Sequence, residues 1–129
     1  MMDPEILRIH RAAMTFYDAA DRARKRHRPL AAQRRYARAA TLETRAADML
    51  AAISDRPALD LTRSILHKSA AWMAIRAGDL DTAARLVYQG LAVRPHPAIA
   101  GELNQAGDEV AKLKAMRESV GATELAAEY

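Results

Sequence analysis

Four histidines, His10, His27, His67 and His96, have the widest chemical range in this chain. Imidazole can ligate a metal, carry a proton or activate a nucleophile. None stands one helical turn from another His, Asp or Glu in a zinc pattern such as HExxH, so no metal site is expected. There is no cysteine, which removes thiolate nucleophiles, disulfides and Cys-ligated zinc. Ser54, Ser64, Ser69 and Ser119 lack the context of a nucleophile elbow. No glycine loop has the spacing that cradles a phosphate or a dinucleotide. Asp79 and Asp81 could open a calcium loop, but the glycine and the later glutamate are missing. They read as residues that start a helix. The expectation is a protein that is not an enzyme, with no cofactor and no metal.

Binding chemistry remains. The net charge of +4 is uneven. Residues 1–56 hold 12 Lys/Arg against 7 Asp/Glu, and residues 57–129 hold 8 against 9. The excess sits in Arg22, Arg24, Lys25, Arg26, Arg28, Arg34, Arg35 and Arg38, with no acid after Asp21. Such a run is either solvated surface or a contact for an anionic partner. Arg34 and Arg38 are one helical turn apart, which favours a real patch made of Arg26, Arg28, Arg34, Arg35 and Arg38. Tyr36 is the one aromatic nearby and reads as core. The stacking platform of single-strand binders is therefore absent, and nucleic acid ranks second to protein as a partner. Trp72 is either core filling or a binding anchor.

The elements that position these residues are helices. Asp3-Pro4-Glu5 opens the first: a capping Asp, Pro at the first position and an acid in the first turn. Apolar residues recur at Ile6, Ile9, Ala13, Phe16/Tyr17, Ala20 and Ala23, which is helical spacing. Pro29 ends this helix near His27. A second helix is expected over 29–53, with Leu30, Ala32, Tyr36, Ala39/Ala40, Leu42, Ala46, Met49/Leu50 and Ile53 inward. Ser54-Asp55-Arg56-Pro57 is a break. A third helix, over 59–77, turns Leu61, Ile65/Leu66, Ser69/Ala70, Met73 and Ala77 inward. Gly78 suits the left-handed position that closes it, and Asp79 can cap the fourth. That helix presents Leu80, Ala83/Ala84, Val87 and Leu91. Past Pro95 and Pro97, a fifth shows Ile99, Leu103, Ala106, Val110, Leu113 and Val120. No segment alternates as a strand would. The fold class is all-α: about five helices in antiparallel hairpins, one domain over residues 1–120 and a flexible tail over 121–129.

The third and fourth helices resemble a tetratricopeptide repeat. Gly78, Ala83, Val87, Gly90, Leu91 and Pro95 follow that family's order of turn glycine, small crossing residue, large apolar residue, small residue, leucine and terminating proline. Where the family often carries Trp and then Leu-Gly, this chain has His67 and then Ala70-Ala71. The first two helices resemble a degenerate copy, with Phe16, Ala19, Ala20, Ala23, Ala32, Tyr36 and Ala39 at the anchor and small positions. There Arg26-His27-Arg28-Pro29 replaces the Gly-Asp turn. Tyr36 aligns with Val87, an offset of 51 residues where such repeats usually recur at about 34. The fifth helix resembles the one that caps such arrays. The stretch from Arg63 to Leu91 is also similar to small bacterial repeat proteins. The three-helix domain of microtubule-interacting and trafficking proteins is the nearest alternative fold.

The resemblance implies a concave groove lined by the first helix of each hairpin. Its residues would be Met14, Tyr17, Asp21 and Arg24, then Ile65, Lys68, Trp72 and Arg76. An aromatic flanked by cations in each unit suits a peptide carrying an acid. The expected role is a protein-binding adaptor or scaffold whose partner is an unidentified protein or peptide. The alternative is a basic nucleic-acid-associated protein. Self-association through the fifth helix is a third role. No apolar run approaches the ~20 residues that cross a bilayer, and Asp3 and Glu5 stand where a signal peptide would carry base. No membrane association and a cytoplasmic location are expected.

Overall fold

The computed structural model describes residues 3–53 and 56–127, with side chains through Gly121. Five α-helices follow one another: α1 (Pro4–Lys25), α2 (Pro29–Ile53), α3 (Asp60–Ala77), α4 (Leu80–Ala92) and α5 (Pro97–Ala127). A 3-10 turn at Pro57–Leu59 leads into α3. No strand occurs among the described residues. Each helix packs on the next, and α3 also packs on α5. The result is two antiparallel hairpins, α1–α2 and α3–α4, side by side, with α5 closing the second.

The helix ends follow from local chemistry. The Asp3 carboxylate accepts hydrogen bonds from the Glu5 and Ile6 N–H groups at 2.8 and 3.3 Å, satisfying donors that the helix itself leaves open. Asp79 does the same for α4 through Thr82 N–H at 3.1 Å. The two hairpin turns are built alike. In the second, Gly78 takes φ 83° and Asp79 N–H donates to Ala74 O at 2.9 Å. In the first, His27 takes φ 56° and Arg28 N–H donates to Ala23 O at 2.9 Å. These positions differ by the same 51 residues that align Tyr36 with Val87. The first turn therefore makes the second turn's bonds without its glycine, and His27 carries the steric cost of roughly 1–2 kcal/mol.

Of three buried clusters, one draws on all five helices. Ile6 and Ile9 of α1, Leu50 of α2, Leu66 of α3, Leu86 of α4 and Ala106 of α5 belong to a single buried cluster. Alanines line the crossings: Ala39, Ala46 and Ala47 of α2 and Ala70, Ala71 and Ala74 of α3 have no exposed surface. Gly90 lets α4 cross α3 and α5, because a Cβ there would lie 3.0 Å from Leu103 and 3.1 Å from His67.

Several inward assignments need correction. Leu30, Ile53, Leu61 and Val120 are exposed, at 69, 57, 41 and 57%. Leu30 and Ile53 lie in the end turns of α2, and Leu61 lies in the first turn of α3, where no helix packs against them. Val120 lies on α5 past Leu113, the last of its residues packed against the core clusters. The α5 backbone helix runs on to Ala127, past residue 121 where the tail was expected to begin. Conversely, the polar Glu43, Arg63, Ser64 and His67 are buried, although none of them belongs to the inward stripes read from the sequence. Ser54 and Asp55 of the expected break lie outside the described residues.

Glu43 is fully buried between α1 and α2, and His10 Nδ1 lies 2.8 and 3.0 Å from its two oxygens. With the carboxylate ionised, Nδ1 must carry the proton. Burial pushes the Glu43 carboxyl up, and the His10 hydrogen bond pulls it only part of the way back. Removing one member of a buried pair leaves the other uncompensated, at about 3–5 kcal/mol. His10→Ala is therefore expected to lower urea-unfolding stability by about that much. Glu43→Gln, which keeps the acceptor and loses the charge, is expected to change it by about 1 kcal/mol or less.

His67 titrates with the opposite consequence. Burial holds its imidazole below the ordinary value of 6.5. The unfolded chain then binds the proton at a pH where the fold does not. Its contribution to stability is full above 6.5 and is lost as pH falls below that value. Unfolding free energies measured from pH 7.5 to 5 are expected to fall less steeply for His67→Leu than for the native chain.

Candidate functional site

On the side where α1 and α3 lie next to each other, the packed helices leave an open hollow of about 470 Å³. Met14 and Tyr17 of α1 form one wall. Lys68, Ser69, Trp72, Met73 and Arg76 of α3 form another, and Glu102 of α5 closes one end. Its size lies within the few hundred to a thousand Å³ typical of ligand sites. Trp72 packs on the core cluster with one side and borders the hollow with the other.

The two ends differ electrically. At one end Lys68 Nζ stands 3.8 Å from Glu102 Oε2, with both groups partly in solvent. Such a pair contributes about 0–1 kcal/mol, so an incoming carboxylate can displace Glu102 at small cost. At the other end Arg76 lies over the Tyr36 ring, 5.9 Å from its centre. Tyr36 meets Tyr17 edge to face at 5.6 Å. The Tyr36 hydroxyl donates to Asp21 Oδ1 and accepts from Arg24 Nε at 3.3 Å. Burial first, and the bond to Asp21 second, raise the Tyr36 phenol above its usual range, which keeps it a neutral donor. Arg24 and Asp21 thus hold Tyr36 in place, leaving Arg76 as the cation presented to the hollow at that end.

The α4–α5 connection positions Glu102. Arg63 is buried, and its guanidinium donates to Val93 O at 2.7 Å and Arg94 O at 3.0 Å while pairing with Asp60 at 3.0 Å. Burial alone would raise the Asp60 carboxyl. Hydrogen bonds from Arg94 and Arg63 outweigh that and hold it below its ordinary value. Ser64 Oγ accepts from His96 N–H at 3.0 Å, and His96 O starts α5 by accepting from Ile99 and Ala100. The first turns of α3 therefore dictate where α5 begins and how its acidic face meets Lys68.

Of the eight residues expected in the groove, Met14, Tyr17, Lys68, Trp72 and Arg76 line this hollow. Asp21 and Arg24 are turned to Tyr36 instead. Ile65 is half-buried and does not line it. Glu102, Ser69 and Met73 join the lining unannounced. The signal for Glu102 was its place one position before Leu103 on the fifth helix, but only the packing angle of α5 brings it to Lys68. A second hollow of about 440 Å³ lies between α2 and α4, bordered by Asp48, His67, Val93 and the 75% exposed Tyr88. Sequence reasoning left Tyr88 unassigned.

The five arginines of the expected basic patch are all exposed and lie away from both hollows. Arg35 donates to Ala19 O at 3.3 Å, and Arg38 covers the Phe16 ring at 5.8 Å. Among the described residues no cluster of His, Asp and Glu could hold a metal, and no helix is long and apolar enough to cross a membrane.

If Arg63 sets the start of α5, Arg63→Gln should act there first. Amide exchange is expected to accelerate at residues 97–103 well before it does in α1 and α2. The cost should approach the several kcal/mol of a broken buried charge network.

Comparison with known proteins finds no family model, no curated protein and no solved structure that matches this chain.

Proposed function

We propose that this protein is a short repeat module of tetratricopeptide type. It acts without catalysis as a cytoplasmic adaptor, holding an extended, acidic peptide or protein segment in the hollow between α1 and α3. The observation that carries this reading is the convergence of Met14, Tyr17 and Trp72 with Lys68 and Arg76 on one open surface. Aromatic and methionine side chains offer apolar area that a bound chain can cover. The two cations at opposite ends orient its acidic groups by charge-assisted bonds.

The repeat reading draws support from the 51-residue equivalence of the two hairpin turns, which carry the same pair of hydrogen bonds. Two hairpins make a short groove, so the expected affinity is about micromolar, or roughly 8 kcal/mol. Glu102 adds selectivity: a basic ligand would have to face Lys68 and Arg76, whereas an acidic one replaces Glu102 at Lys68.

Trp72 is the chain's one tryptophan, so its emission reports on the hollow directly. Titration with a panel of acidic decapeptides, and with basic ones of the same length, is expected to shift that emission for acidic sequences. Lys68→Glu should weaken the best binder by about tenfold or more, roughly 1.4 kcal/mol, with unchanged helical circular dichroism. If no acidic peptide perturbs Trp72, or if Lys68→Glu binds as the native chain does, the groove reading fails.

A further inference from the structure

The outer face of the α1–α2 hairpin, turned away from α3 and α4, carries a charged surface separate from the groove. On α2, Arg34, Arg38 and Arg45 recur at helical spacing and are all exposed. On α1, Arg11 and Arg22 do the same, and Lys25, Arg26 and Arg28 extend the row around the turn. Two contacts join the rows into one face: Arg35 reaches Ala19 O of α1, and Arg38 lies over Phe16 of α1. Among the described residues on these rows, Asp18 is the one carboxylate without a cation already on it. Glu5 holds Arg8 at 2.6 Å, and Asp21 stands 3.9 Å from Arg24. Arg34 and Arg45 alone are about 16 Å apart along the helix axis.

We infer that this face binds the phosphate backbone of a nucleic acid, without regard to sequence. Three features favour that occupant. The cations are nearly all arginine, whose planar fork matches phosphate oxygens two at a time. Protein interfaces concentrate their energy in pockets that seat apolar anchors, and none of the arginines of this face lines either hollow. An interfacial membrane helix needs an apolar face beside its basic one. The apolar faces of α1 and α2 are committed to the core through Ile6, Ile9, Ala13, Ala39, Ala46 and Leu50, and among the described residues of these helices the exposed large apolar side chains are Phe16, Leu30 and Ile53. A duplex presents a charge about every 1.7 Å, so several phosphates fall within reach of a surface this long.

The test is fluorescence anisotropy with a labelled duplex of arbitrary sequence. Binding is expected at about 50 mM salt and should weaken a few hundred-fold by about 200 mM, as for roughly five neutralised phosphates. The variant Arg22→Glu/Arg34→Glu/Arg45→Glu replaces three exposed side chains with no hydrogen-bond or ion-pair partner among the described residues. It should bind at least about tenfold more weakly, and its log–log salt slope should flatten by about 2–3. Lys112→Glu/Lys114→Glu/Arg117→Glu on α5 changes the net charge equally and should bind as the native chain does. Three results would overturn the proposal: no binding at low salt, equal losses from the two variants, or tighter binding to phosphatidylserine vesicles or polyglutamate than to the duplex. Trp72 emission should stay unchanged on adding duplex, which separates this surface from the groove.

Discussion

Close approach of helix to helix is the constraint from which the rest of this structure follows. Among the described residues, thirteen of the twenty-five buried apolar side chains are alanine. A seam lined by methyl groups brings two backbones near each other but has no room for a large side chain. Bulk must therefore go either to a few fully buried positions, Ile6, Leu50, Leu66, Leu86 and Leu103, or to the edge of the seam. Met14, Tyr17 and Trp72 stand at that edge. The hollow between α1 and α3 is thus a consequence of how tightly the hairpins are packed.

The same tightness explains where the buried polar groups lie. Glu43 and His10 span α1 and α2, and Arg63 ties the start of α3 to the connection before α5. A core short of large apolar residues derives limited stabilisation from burial area, so each hydrogen-bonded pair inside it carries more weight in selecting one helix arrangement. Arg63 has the widest reach. Through Val93, Arg94 and Asp60 it fixes the angle at which α5 leaves α4, and with it the acidic end of the hollow.

Charge is divided by face as well as by sequence. The cations of α1 and α2 point outward in two adjoining rows, while those at the hollow belong mainly to α3 and meet an acid from α5. Two surfaces of different chemistry, one aromatic and mixed in charge, the other broad and arginine-rich, thereby share a single small body.

Much of this was open to reading from the residue order. Helix boundaries followed from Asp3-Pro4, Pro29, Gly78-Asp79 and Pro97, because capping and backbone restriction act within a few residues. Short loops between the helices pointed to antiparallel hairpins, and the repeat resemblance implied one groove face for Lys68, Trp72 and Arg76. What remained hidden depends on neighbours distant in the chain. Glu43 and His67 are polar and stand outside the expected inward stripes, and only the fold supplies the partners and packing that bury them. Leu30, Ile53, Leu61 and Val120 are apolar in the right register, yet they lie where no second helix arrives. The repeat resemblance implies a groove face that includes Asp21 and Arg24, but Tyr36, reached across the hairpin, claims both. Local sequence decides which face a side chain occupies; the packing of one helix on another decides what that face meets.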